Sequence, residues 1–144
     1  GRVYLPALDC PFRTADTVVE KIRQETPLII VDFHAEATSE KVALGYYLDG
    51  RVSAVIGTHT HIQTSDERIL PGGTAYITDA GMTGPRDSVL GIKTDLVIRK
   101  FLTQMPVRFE VADGIAQFNG VLIDLDQHTG KALKIERIID FIEK

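Results

Sequence analysis

The spacing of apolar residues predicts alternating helices and strands in the first part of this 144-residue chain. Between residues 15 and 22, apolar side chains recur three and four positions apart, which is typical of one helix face, and Thr14 is expected to cap that helix. The largely aliphatic run at 28–33 predicts a central strand buried on both faces. A second helix is expected from Thr38 to the turn at 49–50.

The later segments continue this alternation and then change to a period of two. Short apolar strands are expected at 52–56 and 74–78, and a third helix is expected after Thr94. From 107–111 onward, apolar and polar residues alternate, which predicts a series of antiparallel strands joined by turns. We therefore expect an α/β fold in a single domain over residues 1–144, with a mixed sheet ending in an antiparallel meander.

Composition and charge narrow the classes of partner. The formal net charge of −4 and the isoelectric point near 5.5 argue against a nucleic-acid-binding face, which is basic. No apolar run reaches the roughly 18 residues of a membrane-spanning helix, so no membrane partner is expected. The single cysteine, Cys10, is interpreted as a partly buried side chain, excludes an internal disulfide and favours a cytoplasmic location. Because the chain begins without methionine, we expect a processed chain or a piece of a longer protein.

Three histidines follow predicted strands, at the sheet edge where α/β proteins place their chemistry. His34 follows one strand, and His59 and His61 follow the next in the sequence Gly-Thr-His-Thr-His. Residues i and i+2 of an extended backbone point to the same side, so both imidazoles are expected to face one ion or two neighbouring ions. Imidazole binds zinc, iron and manganese alike. His128 lies in a predicted turn and is expected to be exposed.

Carboxylates near these histidines are too few for a complete two-metal centre. Three imidazoles are enough for one catalytic zinc, whereas two dications need carboxylate ligands. Asp32 precedes His34 by two residues and would either bind the metal or hydrogen-bond the imidazole. Glu36 is interpreted as a favourable charge at a helix N-terminus, and Asp66 is not a convincing bridge. The residues alone leave open a mononuclear three-histidine zinc hydrolase and a non-catalytic regulatory module that holds metal.

Three segments of the sequence resemble the YmdB-like branch of the calcineurin-like metallophosphoesterases. They read DFHAEATSEK at 32–41, GTHTHIQT at 57–64 and ITDAGMTG at 77–84, and the resemblance extends from about Val3 to Ile138. It implies a calcineurin-like metallophosphoesterase sandwich, of which this chain would be the C-terminal portion. The N-terminal half of the family's members carries a bridging aspartate, further ligands and the catalytic histidine, and nothing in this sequence matches it.

The resemblance implies a metal-dependent phosphodiesterase that hydrolyses a small phosphodiester, a cyclic nucleotide in particular, with a water activated by two metal ions. His34 and His59 would bind one ion, and His61 would bind the other. Iron or manganese is expected, with zinc as the alternative.

Further polar residues are expected in the outer sphere of the metals or near the substrate: Asp32, Thr60 and Thr83. No catalytic residue is assigned within this chain, because the catalytic histidine is expected in the N-terminal half. The isolated chain is therefore expected to be inactive. Its expected partner is the other half of the same protein, and pairing with other copies of the chain is an alternative way to cover exposed core surface.

Overall fold

In the computed structural model, which describes residues 1–142, the chain divides into two compact units. The larger contains Gly1–Gly81 and Val121–Arg137, and the smaller contains Met82–Gly120 and the segment from Ile138 onward. The helices and strands, in chain order, are α1 Pro11–Ile22, β1 Ile30–His34, α2 Thr38–Leu48, β2 Ala54–Thr58, β3 Arg68–Ile69, β4 Ala75–Ile77, β5 Gly84–Pro85, α3 Thr94–Thr103, β6 Ala116–Leu125 and β7 Ala132–Ile142. The single domain expected over residues 1–144 stays a prediction.

A mixed sheet of order β1–β2–β4–β3 forms the centre of the larger unit. The strands β1, β2 and β4 run parallel, and the short β3 is antiparallel to β4. The register places Phe33 beside Gly57 and His34 beside Thr58. Because parallel strands end at the same edge of a sheet, the residues that end β1 and those that follow β2 are brought close together.

The two faces of this sheet are covered by different elements of the larger unit. Alternate residues of a strand face opposite sides. Val55 belongs to a buried cluster with Val19 of α1 and Leu44 of α2. Its neighbour Ala54 packs instead with Ala132 of β7, in a cluster that also contains side chains of β6. The larger unit is therefore layered, with helices on one face of the sheet and the β6–β7 hairpin on the other.

The smaller unit contains the pairing of β5 with β6 and the helix α3. Pro85 lies beside Ala116 in an antiparallel register. Val97 is the buried residue of α3. No helix among residues 1–142 has the length and apolarity needed to cross a bilayer.

The first helix begins earlier than its apolar spacing predicts. Pro11 occupies the first turn and Cys10 precedes it as the N-cap residue, so the predicted cap at Thr14 is wrong. Proline suits the first turn of a helix because its fixed φ is helical and its missing N–H would have no partner there. Cys10 is partly buried, as predicted.

Among residues 1–142 the strand β1 lies at the end of the strand order, so within this part of the chain the central position predicted for the strand at 28–33 is wrong. The side chain of Ile30 is 59% exposed, whereas Phe33 is buried. The apolar run is nearly continuous because Ile29, which precedes β1, is itself a core residue. The apolar run at 28–33 therefore contains both core residues and exposed residues, and it does not indicate one strand covered on both faces.

The C-terminal meander is shorter than predicted, because no strand forms at 107–111. Val111 makes only an isolated bridge to Ile92, and the carbonyl of Glu110 accepts a hydrogen bond from the Lys93 amide at 3.0 Å. These contacts connect the segment to the loop before α3 rather than to β6. The two-residue strands β3 and β5 were not predicted, since two residues cannot show a period.

Gly57 is required by the close approach of β2 and β4. A Cβ atom placed on Gly57 would lie 1.8 Å from the carbonyl oxygen of Thr78, and the Gly57 carbonyl accepts a hydrogen bond from the Ala80 amide at 2.8 Å. We predict that Gly57→Ala lowers the free energy of unfolding of the full-length protein by about 3 kcal/mol, because backbone must move to admit the methyl group. Chemical denaturation measures the change.

Gly84→Ala is the matched control. The nearest atom to a Cβ placed there is the terminal methyl of Met82 at 3.2 Å, which can move aside. Equal denaturation midpoints for the two variants would contradict the assigned role of Gly57.

Candidate metal centre

The ends of β1 and β2 bring two histidine rings into contact. Nε2 of His34 lies 2.9 Å from Nδ1 of His59, and the rings meet edge to face with centroids 4.7 Å apart. The predicted meeting of the two strand ends is confirmed for this pair, and their role as metal ligands stays a prediction.

Oxygen atoms flank the histidine pair on both sides. Oε2 of Glu36 lies 2.6 Å from Nε2 of His59. On the other side, the Thr58 hydroxyl lies 3.2 Å from Nδ1 of His34 and donates to Oδ1 of Asp32 at 2.9 Å. A continuous polar chain results, with a carboxylate at each end and the two imidazoles between them.

The two carboxylates make different contacts. Asp32 accepts a hydrogen bond from the Thr58 hydroxyl, which in turn contacts the imidazole of His34, and the outer-sphere role expected for Asp32 stays a prediction. Glu36 precedes α2, whose N-cap residue is Ala37, and its carboxylate contacts the imidazole of His59. Its role is therefore more than a charge at a helix end.

The third predicted ligand, His61, does not join this pair. The φ angles of His59 and His61 are 120° and 67°, so the extended backbone that would point both side chains to one side is absent. The structure shows no hydrogen bond, ion pair or ring contact of the His61 imidazole within residues 1–142. In that same part of the chain, no three His, Cys, Asp or Glu side chains are grouped to hold a metal ion.

Positive φ angles at these histidines indicate a strained loop. For residues other than glycine, such conformations cost of order 1–3 kcal/mol each and persist only where surrounding structure holds them. They occur preferentially at functional sites, so the strain is independent support for a functional role of the segment from His59 to His61.

The buried carboxylate of Asp79 holds this loop in place. Oδ2 accepts hydrogen bonds from the Thr60 amide at 2.9 Å and from Nζ of Lys41 at 2.8 Å, and Oδ1 accepts one from the Gly81 amide at 2.9 Å. Burial alone raises the pKa of Asp79, but these hydrogen bonds outweigh burial and hold the pKa below its ordinary value. One carboxylate thus connects the His-x-His loop, the loop after β4 and the helix α2.

A second network supports the same region from β4. The Thr64 hydroxyl donates to Oδ1 of Asp66 at 2.6 Å, and the Thr78 amide donates to the same oxygen at 3.1 Å. Burial raises the pKa of Asp66, and the hydrogen bonds from Thr64 and Thr78 lower it further than burial raises it. Asp66 thus connects Thr64 with the residue that follows β4 and supports the loops around the site.

The remaining candidates lie in different places. The Thr60 amide is bound to Asp79, and its hydroxyl donates to the carbonyl of Ile62 at 3.2 Å. Thr83 is exposed in the smaller unit. The roles expected for Thr60 and Thr83 stay predictions. His128 is exposed, as predicted.

The donors present fit a transition metal in kind but not in number. Imidazole nitrogens suit zinc, iron and manganese, and carboxylates suit manganese and iron. The described residues place two imidazoles in contact, with Glu36 and the Asp32–Thr58 pair beside them. Two metal ions need more donors than these.

Three contributing residues were not singled out from the sequence. Thr58 could have been found, because a parallel register with His34 places it beside that ring. Asp79 lies in a quoted motif but carries no local signal of its function. Lys41 gives none, since a lysine side chain is ordinarily exposed, whereas this one is 1% exposed.

Comparison with known proteins identifies the family. A family model described as YmdB-like protein matches residues 1–138, and the chain belongs to this family. The 2',3'-cyclic-nucleotide 2'-phosphodiesterase of Bacillus subtilis (strain 168) is 60% identical over 139 residues, which are 96% of this chain and 53% of that protein.

Solved structures agree with the α/β fold and its mixed sheet. A hypothetical protein from Thermus thermophilus has a TM-score of 0.91 and 42% identity, with 100% of this chain and 55% of that chain covered. A novel phosphatase from Mycoplasma pneumoniae has a TM-score of 0.87 and 42% identity, with 96% of this chain and 50% of that chain covered. The chain therefore spans about half the length of the relatives it matches.

The Lys41–Asp79 ion pair yields a stability prediction. Both side chains are buried, with 1% and 0% exposed. We predict that Lys41→Met lowers the free energy of unfolding by about 3–5 kcal/mol, because it leaves a carboxylate buried without its counter-charge. Denaturation of the full-length protein measures the loss.

Lys21→Met in α1 is the control for this change, since Lys21 is exposed. The double variant Lys41→Met/Asp79→Asn should recover part of the loss, because it removes both charges. A Lys41→Met variant as stable as the Lys21→Met variant would overturn the assignment.

Proposed function

We propose that this chain is the C-terminal part of a calcineurin-like metallophosphoesterase domain, and that the full-length protein is a metal-dependent phosphodiesterase. The observation that carries the proposal is the contact between the imidazoles of His34 and His59 at two neighbouring strand ends, with the carboxylate of Glu36 beside them. Membership of the YmdB-like family supports it.

Names of relatives indicate the substrate class. The Bacillus subtilis relative is named for hydrolysis of 2',3'-cyclic nucleotides, and the Mycoplasma pneumoniae structure is described as a phosphatase. A cyclic phosphodiester of a nucleotide is accordingly the proposed substrate.

The proposed ligands are His34 and His59 for one ion and His61 for a second, with iron or manganese preferred over zinc. Metal ions bound there would stabilise negative charge on the phosphoryl oxygens and lower the pKa of a water molecule. The remaining ligands and the acid that protonates the leaving oxygen are assigned to the other half of the protein. This assignment agrees with the shortage of donors among residues 1–142.

Residues of this chain orient the imidazoles. Glu36 contacts the outer nitrogen of His59, and Thr58 contacts the outer nitrogen of His34. Partners at the outer nitrogen fix the plane of a ligating ring and increase its basicity. Asp79 holds the intervening loop through the Thr60 amide. The geometry of the site thus depends on buried contacts beneath it.

Replacement of His59 tests the proposal. In the full-length protein, His59→Ala is predicted to reduce bound metal and to slow hydrolysis of a 2',3'-cyclic nucleotide by more than about 100-fold, since even the partners of metal ligands contribute roughly 10–100-fold. Metal analysis and a hydrolysis assay measure the two effects. His128→Ala, in the exposed turn, is the matched control and should retain both. Full metal content in the His59→Ala protein would refute the proposal.

The same metal analysis separates the alternatives. Two ions per full-length chain support the binuclear centre, whereas one tightly bound zinc favours a mononuclear hydrolase. Metal without hydrolysis of any phosphodiester favours a regulatory module.

The dependence on the other half is tested separately. We predict that residues 1–144 alone hydrolyse no cyclic nucleotide at a rate within about 100-fold of the full-length protein, because the chain lacks donors for a complete centre. Circular dichroism would first establish that the isolated chain folds, and addition of the separately expressed other half should restore hydrolysis. Hydrolysis by the folded fragment at the full-length rate would show that this chain is sufficient.

A further inference from the structure

We propose that Thr58 is a positioning residue that fixes the tautomer of His34, so that Nε2 of this ring presents its lone pair to the metal centre. The inference rests on the proposed function for the identity of the centre. The inference states which nitrogen of His34 carries the proton, and this can be tested without any metal.

The single proton of the Thr58 hydroxyl determines which group donates in each hydrogen bond of this polar chain. A hydroxyl group has one proton to donate and two lone pairs to accept with. The carboxylate of Asp32 only accepts when ionised, so the 2.9 Å contact between Thr58 Oγ1 and Asp32 Oδ1 uses the hydroxyl proton. The 3.2 Å contact between the same oxygen and Nδ1 of His34 must then be donated by the imidazole.

The tautomer of His34 follows from this donation. A neutral imidazole carries a proton on one nitrogen and a lone pair on the other. With its proton on Nδ1, His34 has its lone pair on Nε2. This nitrogen lies 2.9 Å from Nδ1 of His59, so in the metal-free protein it accepts a hydrogen bond from Nδ1–H of His59. A cation that displaced this His59 proton would meet the lone pairs of both rings on the side where the two histidines lie together.

The geometry is a direct result of the parallel register. Pairing of β1 with β2 places Thr58 beside His34, and Asp32 lies two residues before His34 on the same strand face. Threonine is branched at Cβ, which restricts its χ1 angle and so limits the positions of its hydroxyl. The three side chains consequently meet at the end of two paired strands with little freedom to rearrange.

Substitutions of Thr58 in the full-length protein test the inference. Thr58→Val keeps the shape of the side chain and removes the hydroxyl, whereas Thr58→Ser keeps the hydroxyl. Thr17→Val makes the same chemical change at an exposed position in α1 and serves as the control. The readouts are nitrogen-15 NMR of metal-free protein labelled at histidine, with His34 assigned from the His34→Gln spectrum, and titration with Mn²⁺.

We expect His34 of the wild type to carry its proton on Nδ1, and Thr58→Val to lose this preference and bind Mn²⁺ about 10-fold more weakly. Thr58→Ser should retain the Nδ1 proton and most of the affinity, and Thr17→Val should match the wild type. If Thr58→Val acted only by a general loss of structure, Thr58→Ser would not restore the wild-type behaviour. Comparison of the two variants therefore distinguishes an effect on the orientation of His34 from an effect on folding.

Should Thr58→Val fail to fold, Asp32→Ala provides the second test. Asp32 is exposed, and its removal frees the Thr58 proton to be donated to Nδ1 of His34, which should shift the tautomer towards Nε2 protonation. An Nε2-protonated His34 in the wild type, or unchanged tautomer and Mn²⁺ affinity in Thr58→Val and Asp32→Ala, would overturn the inference. Failure of the proposed function would give a different result from failure of this inference, because it would appear as full metal content in the His59→Ala protein.

Discussion

Parallel pairing of β1 with β2 is the constraint on which the candidate site depends. It ends both strands at one edge of the sheet and places Thr58 beside His34, from which His59 follows at once along the chain. On its other side β2 pairs with β4, and the backbone of Gly57 approaches the Thr78 carbonyl so closely that a side chain at Gly57 would not fit. The contact between the two imidazoles is therefore a consequence of backbone packing beneath the site, and not of an attraction between the rings.

A buried ion pair maintains a loop that the backbone alone would disfavour. Both histidines of the His-x-His segment have positive φ, which is unfavourable for side chains larger than glycine. The carboxylate of Asp79 accepts hydrogen bonds from a backbone amide of this loop and from the amide of Gly81. Lys41 supplies the counter-charge that a carboxylate in the interior requires. The unfavourable loop conformation and the costly burial of two charges are thus coupled, and this coupling explains why a lysine of α2 is placed in the interior beneath the site.

The sequence predicted where the main helices and strands lie along the chain better than it predicted which strands pair and which side chains are buried. Apolar spacing located α2 and α3 because helix periodicity is a local property, whereas the edge position of β1 depends on which strands pair with it. Within the site, the meeting of His34 and His59 was predictable from strand ends, since parallel strands share an edge. The separation of His61 was not, because the premise of an extended backbone failed in a loop whose conformation is set by Asp79.

Electrostatics supports the proposal that metal ions are needed before this part of the site can bind a phosphodiester. The imidazole pair is flanked by the carboxylates of Asp32 and Glu36, and the only lysine in its supporting network, within residues 1–142, is committed to Asp79. An anionic substrate would meet negative charge unless cations were bound there, and bound metal ions invert that local field. The same carboxylates that would repel a phosphate in the absence of metal are the groups that orient and strengthen imidazole ligands in its presence. The charge arrangement is therefore coherent for a metal-dependent reaction on an anion and unfavourable for a reaction on an anion that uses these side chains alone.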